Sequence, residues 1–176
     1  MSKQQAIIIL GVLLIVSGLW WVLGRAPEEA IMGVGYKDAT YSVEGVSITL
    51  VNGTAATEIT PGGASKITTT YFGNEARADF NSDGLEDIAF LLTQNSGGSG
   101  TFYYAVVALR NEFGYRGSNA ILLGDRIAPQ TTEARDGVLI VNYADRAEGE
   151  PMTVRPSYGK SLYLRVEDGA LRIMER

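Results

Sequence analysis

Val46-Ser-Ile48-Thr-Leu50-Val51-Asn52-Gly53-Thr54-Ala-Ala-Thr57-Glu-Ile59 is the stretch that sets the fold class. Apolar residues alternate with polar ones on both sides of Asn52-Gly53. A type I′ turn needs positive φ at both central residues, and Asn-Gly accepts that more readily than almost any pair. The stretch therefore reads as a β-hairpin. Pairing Val51 with Thr54 sets Leu50 opposite Ala55, Ile48 opposite Thr57 and Val46 opposite Ile59. That register gathers the apolar side chains mostly on one face, as a half-buried sheet requires.

The same grammar repeats downstream. Asp136-Gly137 separates Gln130–Arg135 from Val138–Tyr143, and Asp168-Gly169 separates Lys160–Glu167 from Ala170–Met174. In the last pair Val166 opposes Leu171 and Leu164 opposes Ile173, while Arg165 opposes Arg172 on a face that must be solvated. Lys66–Phe72 is a Thr- and aromatic-rich strand after the Pro61-Gly62-Gly63 break. Ile88–Leu92 and Phe102–Leu109 are continuous apolar runs, the mark of strands covered on both faces. Ala120–Leu123 reads as a short strand, Asn111–Asn119 as irregular and Ala144–Ser157 as patternless. No segment beyond Gly35 keeps a helical period. The expectation is one all-β antiparallel domain, a sandwich or open barrel of eight or nine strands, over residues 36–176.

Ahead of it, Ala6–Gly24 is 19 residues without a charge. As a helix it would span about 28 Å, one hydrocarbon core. Trp20 and Trp21 sit near its end, where indoles favour the membrane interface. Lys3 precedes it, which favours a cytoplasmic N-terminus. Residues 1–25 thus read as a single transmembrane signal anchor in the cell membrane, with 26–35 as a linker. A cleaved secretion signal is the alternative. Gly24-Arg25-Ala26 offers small residues for cleavage, and Pro27 disfavours it. Either way the C-terminal domain is expected outside the cytoplasm, periplasmic or extracellular.

Composition excludes much chemistry. There is no Cys and no His, hence no thiolate nucleophile, no Cys- or His-ligated zinc and no Ser-His-Asp triad. Beyond Arg25 the chain carries 20 acidic against 13 basic residues, a balance of −7. Such a domain repels nucleic acid and attracts cations.

The remaining chemistry is concentrated in Asp79-Phe-Asn81-Ser-Asp83-Gly84-Leu85-Glu-Asp87. Oxygen-bearing side chains recur at every second position, and Gly84 follows the third where the loop must bend. Ca²⁺ takes six to eight oxygens at short range, which alternate inward side chains of a tight loop can supply. Asp79, Asn81, Asp83 and Asp87 would be side-chain ligands, and Leu85 would offer its carbonyl. An EF-hand is excluded, because Phe90 stands where the bidentate Glu belongs. The spacing resembles the D-x-N-x-D-G-x-x-D turn of FG-GAP and VCBS-type repeats, here in a single copy. That resemblance implies a strand-joining calcium turn and no propeller. The wider runs DATYSVEGVSITLVNG, YFGNEARADFNSDGLEDIAFLL, GSGTFYYAVVAL and LLGDRIAPQ are similar to a family of small exported, uncharacterised bacterial β-domain proteins. This implies export and a β domain, and no activity.

Weaker features read as structure. Asn95–Gly100 lacks the Lys of a phosphate-binding loop and is a flexible connector. Glu86 and Asp87 point to opposite sides of an extended segment. The Asp125-Arg126 and Asp145-Arg146 pairs read as loop anchors, with a carboxylate-based hydrolase as the exception they leave open. Tyr103, Tyr104, Tyr143, Tyr158 and Tyr163 suit half-buried packing, with a carbohydrate or peptide groove as the alternative. The expected role is a membrane-anchored, calcium-binding structural or protein-interaction module, not an enzyme, with an unidentified protein partner. A binding domain for a small ligand or glycan is the alternative.

Overall fold

The computed structural model describes residues 33–60 and 62–175. The expected anchor over residues 1–25 and most of the 26–35 linker lie outside them. Twelve strands form among the described residues, more than the eight or nine expected: β1 (Thr40–Val43), β2 (Val46–Thr49), β3 (Thr54–Glu58), β4 (Lys66–Ala78), β5 (Asp87–Asn95), β6 (Phe102–Asn111), β7 (Gly114–Gly117), β8 (Ile121–Asp125), β9 (Ala128–Arg135), β10 (Val138–Asp145), β11 (Tyr158–Glu167) and β12 (Ala170–Ile173). The paired strands are antiparallel and the described residues contain no helix.

The two apolar runs occupy the middle of the structure. β4, β5 and β6 are neighbours in a large sheet with β3 at one edge, and β7 and β8 share the far side of β6. Because side chains alternate across a strand, β5 and β6 bury different residues on each face. Ala89, Leu91, Ala105, Val107 and Leu109 meet Leu139, Val141, Leu164 and Leu171 of the β12-β11-β10-β9 sheet. Ile88, Phe90, Leu92, Val106 and Ala108 meet Tyr41, Val43, Ile48 and Leu50 around the β1–β2 hairpin. The domain therefore has three β layers and two cores. The doubly covered strands follow directly from the unbroken apolar runs.

Four hairpin turns share one backbone shape. Glu44-Gly45, Asn52-Gly53, Asp136-Gly137 and Asp168-Gly169 each pair a first residue near φ +50° with a glycine between +73° and +81°. The two later hairpins have the expected partners, with Val138 opposite Arg135, and with Leu164, Arg165 and Val166 opposite Ile173, Arg172 and Leu171.

The first hairpin corrects the sequence reading. Val51 and Thr54 do pair across Asn52-Gly53, but the pairing stops there. Val46–Thr49 pairs with Thr40–Val43 through the Glu44-Gly45 turn, so Ile48 faces Tyr41 and Val46 faces Val43. Thr54–Glu58 pairs with β4, so Thr57 faces Ile67. The two arms belong to different layers. Ile48 and Leu50 are 4% and 1% exposed beneath the β1–β2 hairpin, and burying each is worth about 1.5–3 kcal/mol. A flat continuation of the Asn52-Gly53 hairpin would forfeit that burial. The tip is instead tied sideways, Gly53 N–H donating to the Lys37 carbonyl at 2.8 Å and Tyr71 N–H donating to the Gly53 carbonyl at 2.7 Å.

Two further segments differ from expectation. Asn111–Asn119 was expected to be irregular, yet β7 forms there because Asn111 caps the turn, its Oδ1 accepting from Phe113 N–H at 2.8 Å. The end of the linker is also structured. Val34 lies parallel to Gly114, donating to the Phe113 carbonyl at 2.9 Å and accepting from Tyr115 N–H at 2.8 Å.

Phe90 is the hub of the hairpin-side core. Tyr36, Tyr41 and Tyr71 set their rings 5.8, 5.5 and 5.2 Å from its centroid. Phe90→Ala is expected to destabilise the domain by about 3–5 kcal/mol in urea unfolding. A loss below about 1 kcal/mol, the typical point-mutant effect, would remove Phe90 from that role.

Candidate metal centre

The loop between β4 and β5 is closed by its own carboxylates. Asp79 accepts from Asp83 N–H through Oδ1 at 3.1 Å and from Gly84 N–H through Oδ2 at 2.8 Å. Asn81 Oδ1 also accepts from Asp83 N–H at 3.1 Å. Asp83 Oδ1 accepts from Leu85 N–H at 2.8 Å, and its Oδ2 accepts from the Asn81 amide at 2.8 Å. The alternation of Asp, Asn and Asp thus folds back on the chain it belongs to. Gly84 sits at φ +85°, where a Cβ would be strained although nothing lies in its way.

Asp87 does something else. It is the first residue of β5 and fully buried. Its Oδ2 accepts from Phe80 N–H at 2.9 Å and its Oδ1 from Arg110 N–H at 2.8 Å. Phe80, 3% exposed, plugs the same core. Asp87 therefore ties the start of the loop to the end of β6. Burial pushes its carboxyl above the ordinary range, the Arg110 and Phe80 N–H groups pull the other way, and the charges of Asp83 and Asp79 push it up again. A raised carboxyl favours folding fully only below its unfolded value, and that contribution is lost as pH rises through the folded one. Ionising Asp87 thus costs stability, a cost that a nearby cation would offset.

Asp79, Asn81 and Asp83 are brought together, Asp87 lies beneath them, and the Leu85 side chain is 41% exposed. Among the described residues no Lys or Arg forms an ion pair with Asp79, Asp83 or Asp87. Among the same residues no three Asp or Glu side chains form a group that could hold a metal ion. The donors that fit a hard cation are the carboxylates of Asp79 and Asp83 with the Asn81 amide oxygen. Each carboxylate oxygen keeps a lone pair beyond the one its N–H occupies.

The other sequence candidates fall into separate places. Glu86 reaches Arg77 at 3.6 Å on the surface while Asp87 turns inward. Asp125 accepts from Thr101 N–H at 2.8 Å and pairs with Arg126 at 3.3 Å. Asp145 pairs with Lys160 at 2.7 Å beside a shallow cleft of about 640 Å³. Arg146 donates to the carbonyls of Val154 and Arg126 at 2.7 and 3.2 Å. Asp125-Arg126 is an ion pair in its turn, as the sequence suggested, whereas Asp145 pairs with Lys160 and Arg146 instead anchors the loop after β10 through carbonyls. The five tyrosines do not share one groove. Tyr104 and Tyr143 belong to opposite cores, Tyr103 packs against Phe72, and Tyr158 is exposed.

One cluster escaped the sequence reading. Glu75 accepts from Tyr71 OH at 2.6 Å, Tyr36 OH at 2.8 Å and Arg77 at 3.0 Å. Burial opposes its ionisation, but the bonds from Tyr71, Tyr36 and Arg77 outweigh that and hold it below the ordinary carboxylate range. Gly73 and Asn74, both at positive φ, interrupt the pairing of β4 with β5 ahead of it. Gly73-Asn74 was the available signal, since such a pair inside a strand marks a bulge.

Comparison with family models, with curated proteins and with solved structures finds no match.

Asp87→Asn presents an N–H₂ to one of two buried N–H donors. It is expected to cost about 1–3 kcal/mol in urea unfolding, as an orphaned buried donor does. An unchanged midpoint would show that Asp87 does not fasten the loop.

Proposed function

We propose that this chain is a membrane-anchored, extracytoplasmic β domain that binds Ca²⁺ at the 79–87 turn and serves as a structural or protein-interaction module. One observation carries the reading. The loop is already folded around Asp79 and Asp83, with no basic side chain among the described residues paired to either. Gathered oxygens without a protein counter-charge suit a hard cation. The resemblance to the single FG-GAP and VCBS-type turn supports the same ion. So does the acid excess beyond Arg25. The uncharged stretch Ala6–Gly24 supports the anchor, and Lys3 supports export of the C-terminal domain.

The ion would act as a staple. Asp79 follows β4 and Asp87 begins β5, so a cation held by Asp79, Asn81 and Asp83 would stiffen the turn that Asp87 already fastens to Phe80. With two carboxylates and one amide, affinity belongs in the weak extracellular range, about 10⁻⁴–10⁻³ M. The acid excess argues against a nucleic-acid partner, which leaves a protein partner on the exposed strands. A small ligand or glycan is the second reading. It is favoured by an aromatic-walled groove of about 170 Å³ beside Phe102 and Tyr104.

Full-length chain in detergent is expected to melt higher in excess Ca²⁺ than in chelator. At tenfold excess over Kd the gain is about 1.4 kcal/mol. Asp83→Ala should abolish the difference. Superimposable melting curves with Ca²⁺ and with chelator would end the calcium reading.

A further inference from the structure

One hairpin departs from the rule the other three follow. Asn52, Asp136 and Asp168 are the residue types that tolerate positive φ, but Glu44 is held at φ +50° in the same turn. A glutamate there is disfavoured, and an outlier kept in place invites a functional reason. Its carboxylate leaves the turn and reaches across 60 positions, where Oε1 accepts from Tyr104 OH at 2.9 Å. Burial, then the Glu44 bond and charge, push the Tyr104 phenol up, so the Tyr104 proton stays in that bond.

Glu44 and Tyr104 line a groove of about 170 Å³ with Ile67, Gln94, Asn95, Ser96 and Phe102. Its groups are held from behind. The Gln94 amide donates to Thr69 Oγ1 at 3.0 Å, which fixes the amide while its own oxygen stays available as an acceptor. Asn95 is spent on the loop, donating to the Gly100 carbonyl at 2.9 Å and accepting from Gly97 N–H at 2.6 Å. Phe102 is 40% exposed, and its Cε2 lies 3.2 Å from where a Gly100 Cβ would be. Gly100 thus leaves the space in which one side of that ring packs.

We propose that this groove binds a single polyhydroxylated ring, one pyranose unit of a glycan. The proposal deepens the ligand reading of the proposed function and is independent of calcium. Drug-sized ligands need about 300–1,000 Å³, so the volume admits one ring. An apolar ligand would leave the Glu44 carboxylate and the Gln94 oxygen without a matching donor. A simple ammonium would match Glu44 and leave the Gln94 and Ser96 oxygens unmatched. A sugar ring uses every group. Two adjacent hydroxyls donate to the carboxylate, others meet Gln94 and Ser96, and the C–H face of the ring lies on Phe102.

The test is saturation-transfer NMR on the full-length chain in lipid nanodiscs, with methyl glycosides of glucose, galactose, mannose and N-acetylglucosamine as probes. At least one is expected to bind at millimolar concentration. Glu44→Asn installs the residue that the Asn52 turn already uses. The turn is relieved while the Tyr104 hydroxyl loses its partner, so the variant should still unfold cooperatively, and it should bind the same glycoside at least about tenfold more weakly, having lost a charged acceptor. Phe102→Ala should weaken binding likewise. No transfer to any of the four glycosides would overturn the proposal. Equal binding by the parent, Glu44→Asn and Phe102→Ala would also overturn it. So would binding of tetramethylammonium, sensitive to Glu44→Asn, in the absence of any glycoside binding. The calcium melting experiment reads the other end of β5, so either result leaves the other interpretable.

Discussion

Burial of both faces of β5 and β6 is the constraint on which the rest depends. From Ile88 to Leu92 and from Ala105 to Ala108 no side chain is more than about 1% exposed. A strand in that position has no polar face, so its sequence cannot alternate. Two further layers must then exist to cover it. The β1–β2 hairpin and the β9–β12 sheet are those layers, and each presents its own row of apolar residues toward the middle. With no Cys in the chain, stability rests on packing, hydrogen bonds and whatever ions the domain takes up.

The same constraint decides where chemistry can sit. A doubly covered strand pair offers solvent only at its two ends. At one end Asp87 converts the chain reversal into a buried clamp on Phe80 and Arg110, with Asp79, Asn81 and Asp83 gathered outside it. At the other, Gln94 and Phe102 leave the covered zone, and the Tyr104 hydroxyl reaches the Glu44 turn from the core. Each end is also tied by a bond that reaches far along the chain. Glu44 to Tyr104 and Arg110 to Asp87 each join segments more than 20 positions apart. Such cross-ties fix polar side chains on rigid strands, which a binding site requires and a flexible loop does not supply.

How much was legible depended on whether a signal was local. Asp136-Gly137 and Asp168-Gly169 named both the turn and its partners, because each hairpin stays within one sheet. Asn52-Gly53 named the turn alone. Its arms separate into two layers after one pair, a choice made by the burial of Ile48 and Leu50 against residues far along the chain, Ile88 and Phe90 among them. Glu44-Gly45 could not be read from propensity, since Glu is a poor occupant of that position. The acidic run was read as one cage of ligands. Its spacing could not show that Asp87 is drawn under the core by Arg110, a residue 23 positions on. The Glu75 cluster was hidden for a related reason, because Tyr36 and Tyr71 meet Glu75 only after the bulge at Gly73-Asn74 re-aims β4.

The two ends also differ in what their strain is for. At the 79–87 loop the positive-φ positions are Gly84 and Ser82, whose side chain is short and polar, and the polar groups pair among themselves. Folding alone explains that arrangement, and an ion would only add to it. At Glu44 the strained position carries a long charged side chain where Asn, Asp or Gly would fold better. The hydrogen bond it accepts from Tyr104 could have been satisfied by water or omitted with a phenylalanine. Burying that hydroxyl and bending that glutamate both cost stability. Proteins sit only slightly above the stability they need, so a local cost is kept where it serves something other than folding. Most of the length of β5 separates that glutamate's groove from Asp87, about 25 Å of rigid strand. Sites so far apart, without shared partners, contribute independently. A single stiff strand pair can therefore carry an ion staple at one tip and a recognition groove at the other, each free to change without disturbing its counterpart.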